Sequence, residues 1–166
     1  MKVLIWLREG LWEVAVDTAL RVSGSDAEMV LLHVTSPEVE EVIRGGMAGL
    51  LGRHRTAPTR VADVGPAAQR ELFAAARRRL GRDCVELTRR GRIEREVIEA
   101  AADADLLVVS RDGDRARLGP HSLGPATRFV VDHAPCPVLL VWPGTAPGLS
   151  SIPPLPPGDR PPPPPR

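Results

Sequence analysis

ADLLVVSRDGDRARLGPHSLGPATRFVVDHAPCPVLLVW, residues 104–142, decides the fold. It holds two continuous apolar runs, LLVVS (106–110) and VLLVW (138–142), the pattern of parallel strands covered on both faces. Between them ATRFVVDH (126–133) reads as a short helix, stopped by Pro135 and Pro137. The rest, SRDGDRARLGPHSLG (110–124), is rich in glycine and turn residues. A glycine loop leading from a buried strand to a helix start is a ready place for phosphate, because unpaired amides and the helix dipole face an anion there. Gly113, Gly119 and Gly124 serve equally well as turn glycines, with Arg111, Arg115, Arg117 and Arg128 in solvent.

Upstream, the same alternation repeats. KVLIWL (2–7) and AEMVLLHV (27–34) are strands, and LWEVAVDTALRVS (11–23) is a helix with Trp12, Val16, Ala19, Leu20 and Ser23 on one face. Pro66 opens a second helix with a Leu72, Ala76, Leu80 stripe; CVELT (84–88) alternates as a half-buried strand does. IEREVIEAAA (93–102) places Ile93, Val97 and Ala101 together. The order β-α-β-α-β-α-β-α-β predicts an α/β fold: a doubly wound, Rossmann-like sandwich of five parallel strands with right-handed crossovers. Residues 40–65 resist this scheme, since Gly45, Gly46, Gly49 and Gly52 break any long helix; a tolerated surface excursion is expected there.

Composition sets the outer limits. The chain of 166 residues suits one domain, expected over 1–143. Residues 143–166 carry 11 of the 18 prolines, so 144–166 is expected to be a disordered, polyproline-like tail. A net charge of +1 and few aromatics argue against nucleic acid as a partner. Cys84 and Cys136 stand far apart, which is no disulfide framework and fits a reducing compartment. The opening apolar run is interrupted by Arg8 and Glu9, unlike a signal peptide, and no run reaches the roughly 18 residues of a membrane span. A soluble cytoplasmic protein with no membrane partner is expected.

Several chemistries find no residues to carry them. A Walker loop needs lysine before Ser or Thr, and the only lysine is Lys2. No G-x-G-x-x-G follows the first strand, and GPHSLG gives no nucleophile elbow. The four histidines and two cysteines have no metal-ligand spacing. His121 beside Ser122 reads as a loop neighbour pair rather than a dyad, and Cys136 as a small packed hydrophobe. The dense Arg77–Arg79 and Arg89–Arg92 groups read as solvated faces, with Glu71, Glu94 and Glu96 as partners.

ADLLVVSRDGD followed by LGPATRFVVDHAPCPVLLV resembles the carboxyl half of the universal stress proteins. In that family a strand ending in Gly leads to G-x2-G-x9-G-[ST], a helix and a closing strand. RRGRIEREVIEAAADADLLVVS and DAEMVLLHV are similar to two further parts, and the likeness extends over about 1–142. The resemblance implies a site at Val34, whose backbone would meet adenine, and at Ser110, Gly113, Gly124 and Thr127 around the phosphates. Ser110 stands at the first loop glycine, Gly113 at the second and Gly124 at the third, with ten rather than nine residues between the last two. Pro125 stands at the Ser/Thr position with neither hydroxyl nor N–H. The acidic residue that ATP-binding members carry after the first strand is replaced by Trp6 and Leu7, with only Glu9 nearby. Arg111, Arg115 and Arg117 are the residues able to compensate.

The expectation is therefore a stress-response regulatory protein with a degenerate nucleotide site, not an efficient enzyme, with no catalytic or metal residues assigned. ATP is the one candidate cofactor. The resemblance implies a homodimer through Val138–Trp142, with Trp142 exposed at that edge, besides an unidentified regulatory protein partner. Two other readings stay open: an ATP-binding member with slow hydrolysis, and an adaptor docking a partner through its proline-rich tail.

Overall fold

The computed structural model describes residues 1–37 and 64–154. The excursion expected at 40–65 falls outside them except for its last two residues, which open a helix. Five strands form one parallel sheet: β1 (Lys2–Trp6), β2 (Glu28–Thr35), β3 (Val85–Arg90), β4 (Leu106–Ser110) and β5 (Val138–Val141). Their spatial order is β3-β2-β1-β4-β5. Four helices connect them among the described residues: α1 (Trp12–Val22), α2 (Val64–Leu80), α3 (Ile93–Ala100) and α4 (Pro125–His133).

Why the sheet is buried on both sides follows from β1. Successive side chains point to opposite faces, and every residue from Val3 to Trp6 is buried. Val3, Ile5 and Leu7 join Met29, Leu31 and Val108 under α1 and α2, where Val16, Phe73 and Ala76 meet them. Leu4 and Trp6 join Leu32, Leu107 and Val109 on the other face, under Val97 of α3 and Val130 of α4. Each fully buried aliphatic side chain stabilises the fold by about 1.5–3 kcal/mol relative to exposure. Two layers of helices on one apolar sheet are therefore required by the alternation itself.

The element boundaries expected from the sequence differ by a few residues at α2 and β3. β3 is an edge strand, with Val85 51% exposed. Its polar side chains are held by neighbours: Gln69 Nε2 donates to Thr88 at 2.6 Å, and Arg77 pairs with Glu86 at 3.4 Å. Arg79 makes a two-armed pair with Asp17 of α1 (2.6 Å for each arm), so this arginine group ties α2 to α1. Arg92 pairs with Glu94 at 2.7 Å, one of the partners expected for it.

Beyond β5, the chain returns to the loop that precedes α4. Leu149–Ser151 forms a single 3-10 turn, and Ser151 Oγ accepts from the Leu118 N–H at 3.1 Å. Residues past Pro154 lie outside the described ones. No helix among the described residues is long and apolar enough to cross a membrane.

Candidate functional site

The strand order reverses between β1 and β4, so their carboxyl ends open a crevice at the topological switch point, the place where open parallel sheets receive ligands. The loop after β1 supplies Arg8 on one side, and the loop after β4 supplies Asp112 on the other. Arg8 Nη1 forms a hydrogen-bonded ion pair with Asp112 Oδ2 and also donates to Thr127 Oγ1 at 3.0 Å. The guanidinium lies over the Trp6 ring, 4.9 Å from its centroid. Asp112 Oδ1 accepts the Gly124 N–H at 2.7 Å, at the start of α4.

Asp112 is well withdrawn from water, its side chain 8% exposed. Burial pushes its pKa up, but the Gly124 amide and Arg8 guanidinium, helped by the Thr127 hydroxyl, outweigh that and hold it below the ordinary carboxylate value. The carboxylate is therefore ionised at neutral pH. Gly124 permits the approach: a Cβ there would sit 2.6 Å from Asp112 Oδ2.

The loop itself is closed by its own backbone. Gly113 N–H donates to Ser122 O at 3.0 Å and Asp114 N–H to His121 O at 2.8 Å. A Cβ on Gly113 would lie 2.7 Å from the Ser122 carbonyl carbon, so glycine is what lets the two arms touch. Arg128 Nη2 donates to Pro120 O at 2.8 Å.

The residues expected around a nucleotide are only partly brought together. Gly113, Gly124 and Thr127 gather at the α4 start, with Thr127 fully buried. Ser110 is buried beside them, but its hydroxyl donates to Leu11 O at 2.7 Å and so fastens β4 to the start of α1. Arg111 does not point at the Gly124 amide. Its Nη1 bonds Ser122 Oγ, and its guanidinium lies 4.8 Å from the Trp142 ring centroid. Arg117 pairs with Asp114 at 3.4 Å. Val34 lies on the same sheet edge two strands away, in register with Arg89. Trp142, expected exposed, is half-buried under Arg111.

Arg8 and Asp112, the two residues that meet in the crevice, carry no local motif. Only the knowledge that β1 and β4 are neighbours could have singled out a basic and an acidic residue just past their ends. Pro125 opens α4 at its first turn, where no N–H is needed for the helix and none is offered to a ligand. Both cysteines are free, and burial pushes their thiols up, as for packed small hydrophobes. Among the described residues no cluster of acidic, histidine and cysteine side chains could hold a metal.

The model of the Universal stress protein family matches residues 12–141. The chain belongs to that family. Solved structures share its fold: the hypothetical protein MJ0577 is 18% identical, with a TM-score of 0.62 over 87% of this chain and 97% of the other. A universal stress protein in complex with cAMP is 18% identical, with a TM-score of 0.56 over 87% and 98%. A family member from Arabidopsis thaliana with AMP bound is 21% identical, with a TM-score of 0.56 over 86% and 90%. At these identities the likeness is one of fold. No curated protein matches the sequence significantly. In this universal stress protein Gly113 and Gly124 lie beside the Arg8–Asp112 ion pair, between the β4 loop and the start of α4.

Proposed function

We propose that this universal stress protein is a stress-response regulatory protein that acts through protein contacts, without efficient catalysis and with weak or absent nucleotide binding. The observation that carries the reading is Pro125 at the first turn of α4. The ring removes both the hydroxyl and the amide that the family's Ser or Thr offers to phosphate. Two further observations support it. Trp6 and Leu7, 2% and 1% exposed, fill the end of β1 where ATP-binding members carry an acidic side chain. Ser110 spends its hydroxyl on Leu11. Each lost donor to a charged phosphate is worth about 1–3 kcal/mol, against roughly 8 kcal/mol for micromolar binding.

The proposal includes a cytoplasmic homodimer through the outer edge of β5, Val138–Trp142, and a regulatory protein partner. A second reading is an ATP-binding protein with slow hydrolysis, favoured by relatives solved with AMP or cAMP. Extraction of nucleotide from the purified protein, followed by calorimetric titration with ATP, separates the two. Empty protein with only millimolar or weaker affinity is expected; stoichiometric ATP would overturn the preferred reading.

A further inference from the structure

The donors that a phosphate would need at this switch point are present, and they are already in use. The Gly124 amide and the Arg8 guanidinium converge on one spot beside the Thr127 hydroxyl, which accepts from Arg8, and the group standing there is the Asp112 carboxylate. We infer that Asp112 is a built-in anion that closes the phosphate site, taking the hydrogen bonds and positive charge that a nucleotide's phosphates would take. The inference rests on the reading of this crevice as a degenerate nucleotide site, and names what keeps it shut.

Three features make Asp112 more than a helix cap. Its carboxylate binds both sides of the crevice at once, α4 through Gly124 and the β1 loop through Arg8. The two glycines that match the phosphate-loop pattern serve its seat: Gly124 admits Asp112 Oδ2, and Gly113 lets the next turn fold flat against Ser122. The loop that would wrap phosphates is tied to itself through Gly113, Asp114, Arg111 and Arg128. A carboxylate attached to the chain competes at a high effective concentration, so a free anion must displace it and its apparent affinity falls by that factor.

Removing the carboxylate should open the site. Calorimetric titrations at fixed ionic strength would compare wild type, Asp112→Ala and Asp112→Asn, using inorganic tripolyphosphate and ATP as probes. Asp112→Ala is expected to bind tripolyphosphate at least about tenfold more tightly than wild type, and Asp112→Asn, whose amide oxygen still accepts the Gly124 N–H, to gain by a smaller factor; the ATP arm reports whether adenosine adds to that. Asp114→Asn removes a second carboxylate from the same loop, one paired outward with Arg117. It is expected to change affinity less than about twofold.

Folded Asp112 variants that bind no more tightly than wild type sink the inference, as does an equal gain in Asp114→Asn, which would mean general charge relief. Should the Asp112 variants not fold, the wild-type Gly124 amide resonance decides. It is expected to stay unmoved by millimolar tripolyphosphate, and a saturable shift overturns the closure. Stoichiometric ATP in the wild type instead defeats the weak-binding reading, so the two failures are distinguishable.

Discussion

Asp112 precedes Gly124 by a whole loop, yet its carboxylate sits 2.7 Å from that glycine's nitrogen. Its partners set its contribution to stability. Asp112→Ala removes a charge-assisted bond to Gly124 and the pair with Arg8, and is expected to cost about 1–3 kcal/mol. The low end applies if Arg8, whose side chain is 31% exposed, rehydrates. The folded-state pKa of Asp112 lies below the ordinary 3.8, so this stability is present above pH 4 and lost as pH falls through the folded value. Denaturant unfolding of wild type and Asp112→Ala should thus differ at pH 7 and converge as the medium becomes strongly acidic; a gap that widens in acid would contradict the assignment. At this scale the sequence was least legible. Gly113, Gly124 and Thr127 were singled out through the family resemblance, whereas Arg8 and Asp112 each look like an ordinary loop charge until their elements are assembled.

Helix α4 opens on a residue that suits the fold and offers neither a hydroxyl nor an N–H. Pro125 presets the backbone for the first turn, and Val130, fully buried, anchors the helix against β4 and α3. Its missing N–H is harmless to the helix, so nothing in stability opposes it. Pro125→Ser alone should leave ATP affinity within about threefold of wild type, because Gly124 and Arg8 remain engaged by Asp112. Added to Asp112→Ala, the same change should gain a further three- to tenfold or so, a non-additive pair in a double-mutant cycle read by calorimetry. Equal gains in both backgrounds would show that the two residues act independently. The elements themselves were readable from the sequence, because continuous apolar runs and 3.6-residue stripes are local consequences of burial on one or both faces. β3 was the exception in its extent, since an edge strand buries little and its end is set by pairing with β2 up to Thr35–Arg90.

For the whole molecule, strand order governs both the crevice and the outer edges. β4 uses its amides on β5 through Leu107 to Pro137 and Arg111 to Val141, so by alternation the Leu140 N–H faces outward. Proline is tolerated at such an edge position but removes its donor. If the proposed homodimer forms along β5, Leu140→Pro should shift it to monomer in light scattering while circular dichroism stays native; an unchanged dimer would locate the interface elsewhere. The sequence by itself determined the family's α/β sandwich, the two apolar layers and the glycine-bearing loop between β4 and α4, because these depend on patterns within a few tens of residues. Only the tertiary structure decided what occupies that loop. Arg8 and Asp112 are 104 positions apart, and an ion pair across a crevice has no signature until β1 and β4 lie side by side.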